Sequence, residues 1–336
     1  MSQSPQENHA VQLRAVLFDA DFNGHEIDRT EVDCRELAND QLLWIDLQMG
    51  SDDDLPDAIA RCGIDARQLR PTRADDIGVA KGGDDWTVLY ARALNSARDR
   101  RFCDEPLNIA IATNLVITAH CRPIDFLGKA LDNEAARLRI GGLQASSFAA
   151  SLLDRMLTDY LDARDEFESD VDRIESLVLQ RPRTQHLSEL QQLRSHASRL
   201  RKYLAMQRDM FDALGRPDFD VGQPPQVARH WQLLSARYSK VMASVESARE
   251  LVNSSFGVYT SRVAHGTGET MRLLTGVTVV LGTMTAVAAA LGMNFDARVF
   301  DSGNRGFWWV AGAMLGFAIA AVVATLARLL LRRRRS

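Results

Sequence analysis

The sequence predicts an α+β protein with an N-terminal mixed α/β domain, a long helical stalk or coiled coil, and two C-terminal transmembrane helices. Three observations carry that expectation. Residues 273–295 contain no charged side chain over about 23 positions and residues 306–327 none over about 22, each enough to cross ~30 Å of hydrocarbon as a helix. Strand-like alternation is confined to residues 11–122. From residue 124 onward, apolar residues recur at helical intervals instead.

Composition narrows the classes. Of 336 residues 25% are charged, at a formal net charge of −4, so most of the chain is ordinary domain material with a sizeable core. No basic face stands out before the last residues, which gives no support to a nucleic-acid partner. The four cysteines, Cys34, Cys62, Cys103 and Cys121, form no CxxC pair. They read as isolated buried thiols in a reducing compartment rather than a zinc or redox site.

Residues 1–10 are polar, a disordered tail without the apolar core of a signal peptide. In the domain over 11–122, residues 13–18 and 42–47 read as strands. Ser51 is a candidate N-cap, with Asp52, Asp53 and Asp54 in the first turn of a helix ending near Gly63. Residues 77–81 and 86–94 flank Gly82-Gly83-Asp84-Asp85 as a hairpin, and residues 108–112 and 115–120 pair about Thr113-Asn114.

The stalk spans residues 123–270. Helices are expected over 126–138 and 148–179, the latter through Leu152, Met156, Tyr160, Phe167, Val171, Ile174 and Val178, with a break at Pro182. A helix over 187–214, ended by Gly215 and Pro217, would lie antiparallel to it. After Pro224 and Pro225, a four–three alternation runs through Val227, Trp231, Leu234, Tyr238, Val241, Val245, Ala248, Val252, Ser255 and Tyr259. That is a heptad seam, suited to pack on copies or neighbours. No proline follows Pro225, so the helix is expected to run through Gly257, Gly266 and Gly268 into the membrane, for about 65 residues or roughly 100 Å.

The first span, residues 271–295, carries Thr275, Thr278, Gly282, Thr285 and Ala289 on one face, with Met271 and Leu274 at its lower end. Such a stripe has two readings: close helix packing, or the wall of a pore built from several copies. The span ends on Gly292-Met293-Asn294-Phe295, where glycine permits a turn and the Asn carbonyl can face a hydrated cation. A loop follows over 296–305. The second span, 306–328, opens on Phe307-Trp308-Trp309, an aromatic belt, and leads into a basic tail over 329–336. Arg328 and Arg332 to Arg335 mark the cytoplasmic side, so both termini are expected there.

With Gly292-Met293-Asn294 at the end of the first of two C-terminal spans, the sequence resembles the CorA family of divalent-cation transporters. Residues 267–295 (TGETMRLLTGVTVVLGTMTAVAAALGMNF) are similar to its pore helix, and residues 115–123 (LVITAHCRP) to the strand closing its cytoplasmic domain. Residues 200–211 (LRKYLAMQRDMF) resemble a basic helix segment of the ZntB branch. The resemblance implies a funnel-shaped homopentamer in the lipid of a bacterial inner membrane, its first spans lining the pore. It gives Asn294 the ring that meets the hydrated metal ion, with Gly292 and Met293 shaping the turn. It makes Thr285 the next polar ring and Met271 and Leu274 a hydrophobic constriction, with Thr278 and Gly282 between.

The sequence also departs from that pattern. Gly268 stands at the family's inner Asn, Gly282 and Thr283 at its mid-helix Met and Pro, and Leu291 at the aromatic before the motif. The acidic Met-Pro-Glu-Leu loop is absent. Asp296 and Asp301 are candidate substitutes, or equally loop acids paired with Arg298 and Arg305. Regulatory cytoplasmic acids, implied by the family, have candidates in Asp52, Asp53, Asp54, Asp75, Asp76, Asp159, Asp162, Asp165, Glu166, Glu168 and Asp170, each of which also reads as a solvated face.

The expected function is passive, potential-driven Mg²⁺ transport, with Co²⁺ and Ni²⁺ as further cargo and no prosthetic group. Zinc transport is the alternative, favoured by residues 200–211 and the lost acidic loop. Zinc prefers His and Cys, however, and none of the seven histidines falls in the spans. A non-conducting membrane-anchored scaffold or sensor is the remaining reading. An enzyme is not expected, since no nucleophile, phosphate loop or ligand cluster appears.

Overall fold

The computed structural model describes residues 11–20, 24–28, 37–38, 40–49, 56, 59, 62–70, 78–82, 86–97, 101–131, 144–219 and 225–291, together with 305, 308–309, 311–317 and 319–320. It divides into two compact units, residues 1–177 with 183–256, and residues 178–182 with 257–336.

In the first unit a seven-stranded sheet has the order β2-β1-β3-β7-β6-β5-β4. Its strands are β1 (Gln12–Phe18), β2 (Gly24–Ile27), β3 (Leu42–Gln48), β4 (Gly78–Gly82), β5 (Trp86–Ala97), β6 (Arg101–Ile111) and β7 (Leu115–His120). The expected strands and both hairpins are present, closed at Gly82↔Trp86 and Ile111↔Val116. Three features were not expected. β2 is a short strand at one edge, and α1 (Ala66–Leu69) is a single helical turn. β5 and β6 extend past the predicted limits and pair from Thr87↔Ile111 to Ala97↔Arg101, with Pro106 opposite Arg92. The helix expected after Ser51 lies largely outside the described residues.

Alternation gives the sheet two apolar faces. Val16, Phe18, Leu42, Trp44, Leu89, Ile109 and Val116 join one core with Phe148, Leu152 and Met156 of α3 (Ala145–Gln180). Leu13, Ala15, Leu43, Ile45, Leu47, Val88, Ala110 and Ile117 face the other way, against Ile59 and Leu69.

Every strand pair is antiparallel except β3–β7. Side chains reinforce that seam. Trp44 Nε1 donates to Thr118 Oγ1 at 3.1 Å, and the Thr118 hydroxyl reaches Asp46 Oδ1. His120 places Nε2 3.2 Å from Asp46 Oδ2 and Nδ1 2.8 Å from the Arg122 carbonyl. Beside it, buried Glu105 accepts from the backbone of Cys121 and Arg122 at 3.1 and 2.8 Å and from Arg122 Nε at 2.7 Å.

A short helix, α2 (Asp125–Lys129), follows β7. The single helix expected over 187–214 is in fact two, α4 (Thr184–Met206) and α5 (Arg208–Leu214). The break is at Gln207, whose φ of −88° and ψ of 1° leave the helical range. Its buried amide brackets one residue of β5, accepting from Arg92 N at 3.0 Å and donating to Arg92 O at 3.3 Å. α4 runs antiparallel to α3, as expected: Phe167 meets His196 edge-on, and Arg173 lies 3.5 Å from Glu189.

α6 (Pro225–Leu291) is continuous over 67 residues, through all three glycines. Every heptad position from Val227 to Ser255 is buried. Copies are not what buries them: the seam packs on its own chain. Tyr238 stacks on Phe211 at 4.4 Å and donates to Leu204 O at 2.9 Å, while Arg237 reaches Asp154 at 2.7 Å. His230, on the same helix, bonds Ser147 at 3.0 Å. The expectation of isolated thiols fails at Cys62, which is disulfide-bonded; Cys103 and Cys121 are not in disulfides and are half-buried.

Candidate ion pathway

The predicted pore face occupies the C-terminal part of α6, within the second unit. Met271, Leu274, Thr278, Gly282 and Thr285 follow one another at spacings of three and four on an unbroken helix, so they share a face. All are exposed, Met271 and Leu274 at 67% and 65%. Exposure is not limited to that face, since Leu273, Val277, Val279, Leu281 and Val287 are exposed as well. Among the described residues this is the helix long and apolar enough to cross a membrane, and no part of its most apolar window is buried within the chain.

The hydroxyls on this segment have a common geometry. Thr275, Thr278 and Thr285 each donate to the carbonyl four residues earlier, on Met271, Leu274 and Leu281, at 2.8 Å. Thr283, on another face, does the same to Val279 at 2.7 Å. The bond is therefore a property of threonine in this helix rather than of the stripe. It commits the hydroxyl proton to the backbone and leaves the oxygen lone pairs directed outward as acceptors. Acceptors suit the water shell of a hydrated cation, which presents hydrogens.

Gly292, Met293 and Asn294, with the loop acids Asp296 and Asp301, lie outside the described residues. Of the second span, residues 311–317 are helical and Trp308, Trp309, Leu315, Phe317 and Ile319 are exposed. Arg305, Trp308, Trp309, Gly312 and Ala313 line an open groove of about 750 Å³.

The candidate regulatory acids separate into two groups. Asp159, Asp162 and Glu166 of α3 line a cavity of about 190 Å³ with Asp125, Lys129 and Arg155. Burial pushes the Asp159 carboxyl up to about 6, partly offset by Arg155 and reinforced by Asp162. By contrast, Asp165 and Glu168 pair with Arg164 at 3.0 Å, and Asp170 with Arg173 at 3.2 Å. Asp52, Asp53, Asp54, Asp75 and Asp76 lie outside the described residues. Among the described residues no three His, Cys, Asp or Glu side chains converge as a metal site. The sequence did not point to the ladder through Asp46, Thr118 and His120, because Asp46 on β3 lies more than 70 residues from Thr118 and His120 on β7.

Comparison with known proteins completes the picture. The chain is 26% identical over 194 residues to the cobalt/magnesium transport protein CorA of Thermotoga maritima, a match spanning 54% of each chain. It is 24% identical over 302 residues to the divalent cation transporter CmaX of Pseudomonas aeruginosa, covering 85% of this chain and 86% of that one. Among solved structures it is similar to the CorA magnesium transporter of Methanocaldococcus jannaschii, with a TM-score of 0.73 at 19% identity over 92% of this chain and 96% of that one. At that identity the likeness speaks to fold: the α/β domain and the long helix. The CorA-like Mg²⁺ transporter family model matches residues 39–326, nearly the whole chain, and the protein belongs to that family of divalent-cation transporters.

Proposed function

We propose that the protein is a homopentameric channel carrying Mg²⁺ across the bacterial inner membrane. Residues 271–295 of each copy form the first membrane helix and line the conduit, 296–305 form the outer loop, and 306–328 form the second helix around it. Residues 1–10, the domain over 11–122, the stalk over 123–270 and the tail over 329–336 are cytoplasmic. The observation that carries this reading is the exposed stripe on α6, whose threonine oxygens are acceptors only and whose apolar neighbours find no cover in their own chain.

Each residue then has a role. Asn294 accepts from the hydrated ion at the outer mouth, with Gly292 and Met293 setting the turn, and Asp296 and Asp301 draw cations toward it. Thr285, Gly282 and Thr278 provide a narrow polar wall. Met271 and Leu274 close the inner end by excluding water. Mg²⁺ sheds water reluctantly, so recognition through its shell suits amide and hydroxyl oxygens. The inside-negative potential supplies about 2.3 kcal/mol per charge per 100 mV. The described part of the first span holds no Asp, Glu or His, which fits a passive route over a proton relay.

Uptake into proteoliposomes of Mg²⁺, Co²⁺, Ni²⁺ and Zn²⁺, with and without a pH gradient, tests the proposal. Potential-driven Mg²⁺ uptake that falls at least tenfold in Asn294→Ala is the expected result. Zinc uptake that needs the pH gradient identifies the ZntB-like alternative. Uptake at the background of empty vesicles identifies a scaffold.

A further inference from the structure

His120 lies at the C-terminal end of β7, on the sheet's one parallel seam among the described strands, and is 2% exposed. Its two ring nitrogens face different acceptors. Nδ1 is 2.8 Å from the Arg122 carbonyl, which can only accept, so Nδ1 must carry a proton. Nε2 is 3.2 Å from Asp46 Oδ2, while Asp46 Oδ1 takes the Thr118 hydroxyl. The Thr118 oxygen in turn accepts Trp44 Nε1–H, while its own proton faces Asp46 Oδ1 and, at 3.4 Å, the Ile45 carbonyl. Against an ionised Asp46 carboxylate, which can only accept, both imidazole nitrogens must donate.

We propose that the Asp46–His120 pair is a pH-sensitive clasp across the β3–β7 seam, closed while the imidazole holds both protons and released when alkaline conditions remove one. A neutral ring cannot serve both partners. Whichever tautomer it adopts, a nitrogen lone pair confronts either the Arg122 carbonyl or the Asp46 carboxylate at hydrogen-bond distance, inside the protein. The seam joins two antiparallel sets, β2-β1-β3 and β7-β6-β5-β4, so weakening it loosens one set against the other. It also frees the residues that lead from β7 into α2.

The charged groups around the ring come from three places. Asp46 is on β3, Glu105 is on β6, and Arg122 follows β7 with its guanidinium committed to Glu105. Gln48 on β3 and Leu107 on β6 stand opposite His120 in register and carry no charge. Burial alone lowers the His120 pKa from its ordinary 6.5. The Asp46 hydrogen bond and charge, the Arg122 carbonyl and the Glu105 charge outweigh burial and raise it. The sign follows. A raised folded value gives stability that is whole below 6.5 and is lost as pH rises through the folded pKa.

Hydrogen–deuterium exchange on the full-length protein in detergent, corrected for intrinsic exchange rates, tests the clasp between pH 6 and 9. Opening of peptides covering 42–48 and 115–120 is expected to rise by up to about tenfold per pH unit above 6.5 until the folded pKa is passed. Peptides within 87–94 serve as the control and should not follow. In His120→Gln and Asp46→Asn that slope should flatten. Wild-type seam peptides whose corrected exchange ignores pH would overturn the proposal, as would either folded variant keeping the wild-type slope. None of these readouts involves metal or transport.

Discussion

The two ends of α6 offer a contrast within a single helix. From Val227 to Ser255 every heptad side chain is buried, and Trp231 and Tyr238 are 2% exposed. Between Met271 and Val287, seven apolar side chains, among them Leu274, Val279 and Leu281, stand 40–67% exposed. Both stretches obey helical periodicity, yet only the first finds its complement in the same chain. A period tells which residues share a face; what covers that face is a separate question. For the second stretch, lipid and further copies are the available answers.

Truncating Trp231 should expose the contrast most plainly. Trp231→Ala removes an indole packed edge-on to Phe219 at 6.0 Å, and is expected to cost about 3–5 kcal/mol in chemical denaturation of the purified protein. A cost under 1 kcal/mol would mean that the first stretch is packed no better than the second.

Two glycines sharpen the same point. A Cβ at Gly215 would lie 2.8 Å from Ser235 Oγ, so Gly215→Ala should lose about 1–3 kcal/mol through overpacking. A Cβ at Gly282 meets nothing within 4 Å in its own chain. Gly282→Leu should therefore leave the melting of the first unit unchanged. It should lower the fraction of the proposed pentamer by native mass spectrometry, or metal uptake where assembly survives. No change in either would argue against a neighbouring copy on that face.

A smaller effect belongs to Asp159. Its folded pKa of about 6 exceeds the ordinary 3.8, so ionisation at neutral pH opposes folding. Asp159→Asn should raise the melting temperature at pH 7.5, with the gain shrinking from pH 6 down to pH 5. A gain that grew on acidification would reverse the assignment. Smallest is the ion pair between Arg237 and Asp154, each over a third exposed. Losing it in Arg237→Ala should cost about 0.2–1 kcal/mol, reduced by salt.

How much the sequence reveals depends on the range of the interaction. Alternating residues about Gly82-Gly83-Asp84-Asp85 and about Thr113-Asn114 identified β4–β5 and β6–β7, because a hairpin is decided locally. The heptad from Val227 was equally plain. β2, reading Gly24-His25-Glu26-Ile27, lacks an apolar pattern because it is an edge strand with little to bury. The break at Gln207 could not be foreseen, since it is set by Arg92, 115 residues away. Cys62 departs from the expectation because spacing rules recognise motifs and do not reveal a single bridged cysteine. At the candidate site, the stripe was visible in the residues themselves, whereas the turn expected at Gly292 lies outside the described residues.

The threonine geometry carries one more implication. With each hydroxyl proton turned back onto its own helix, a conduit lined by these threonines would offer none of their hydrogens to chloride or phosphate. Rejection of anions would then need no acidic residue along the route, only a shortage of available hydrogens.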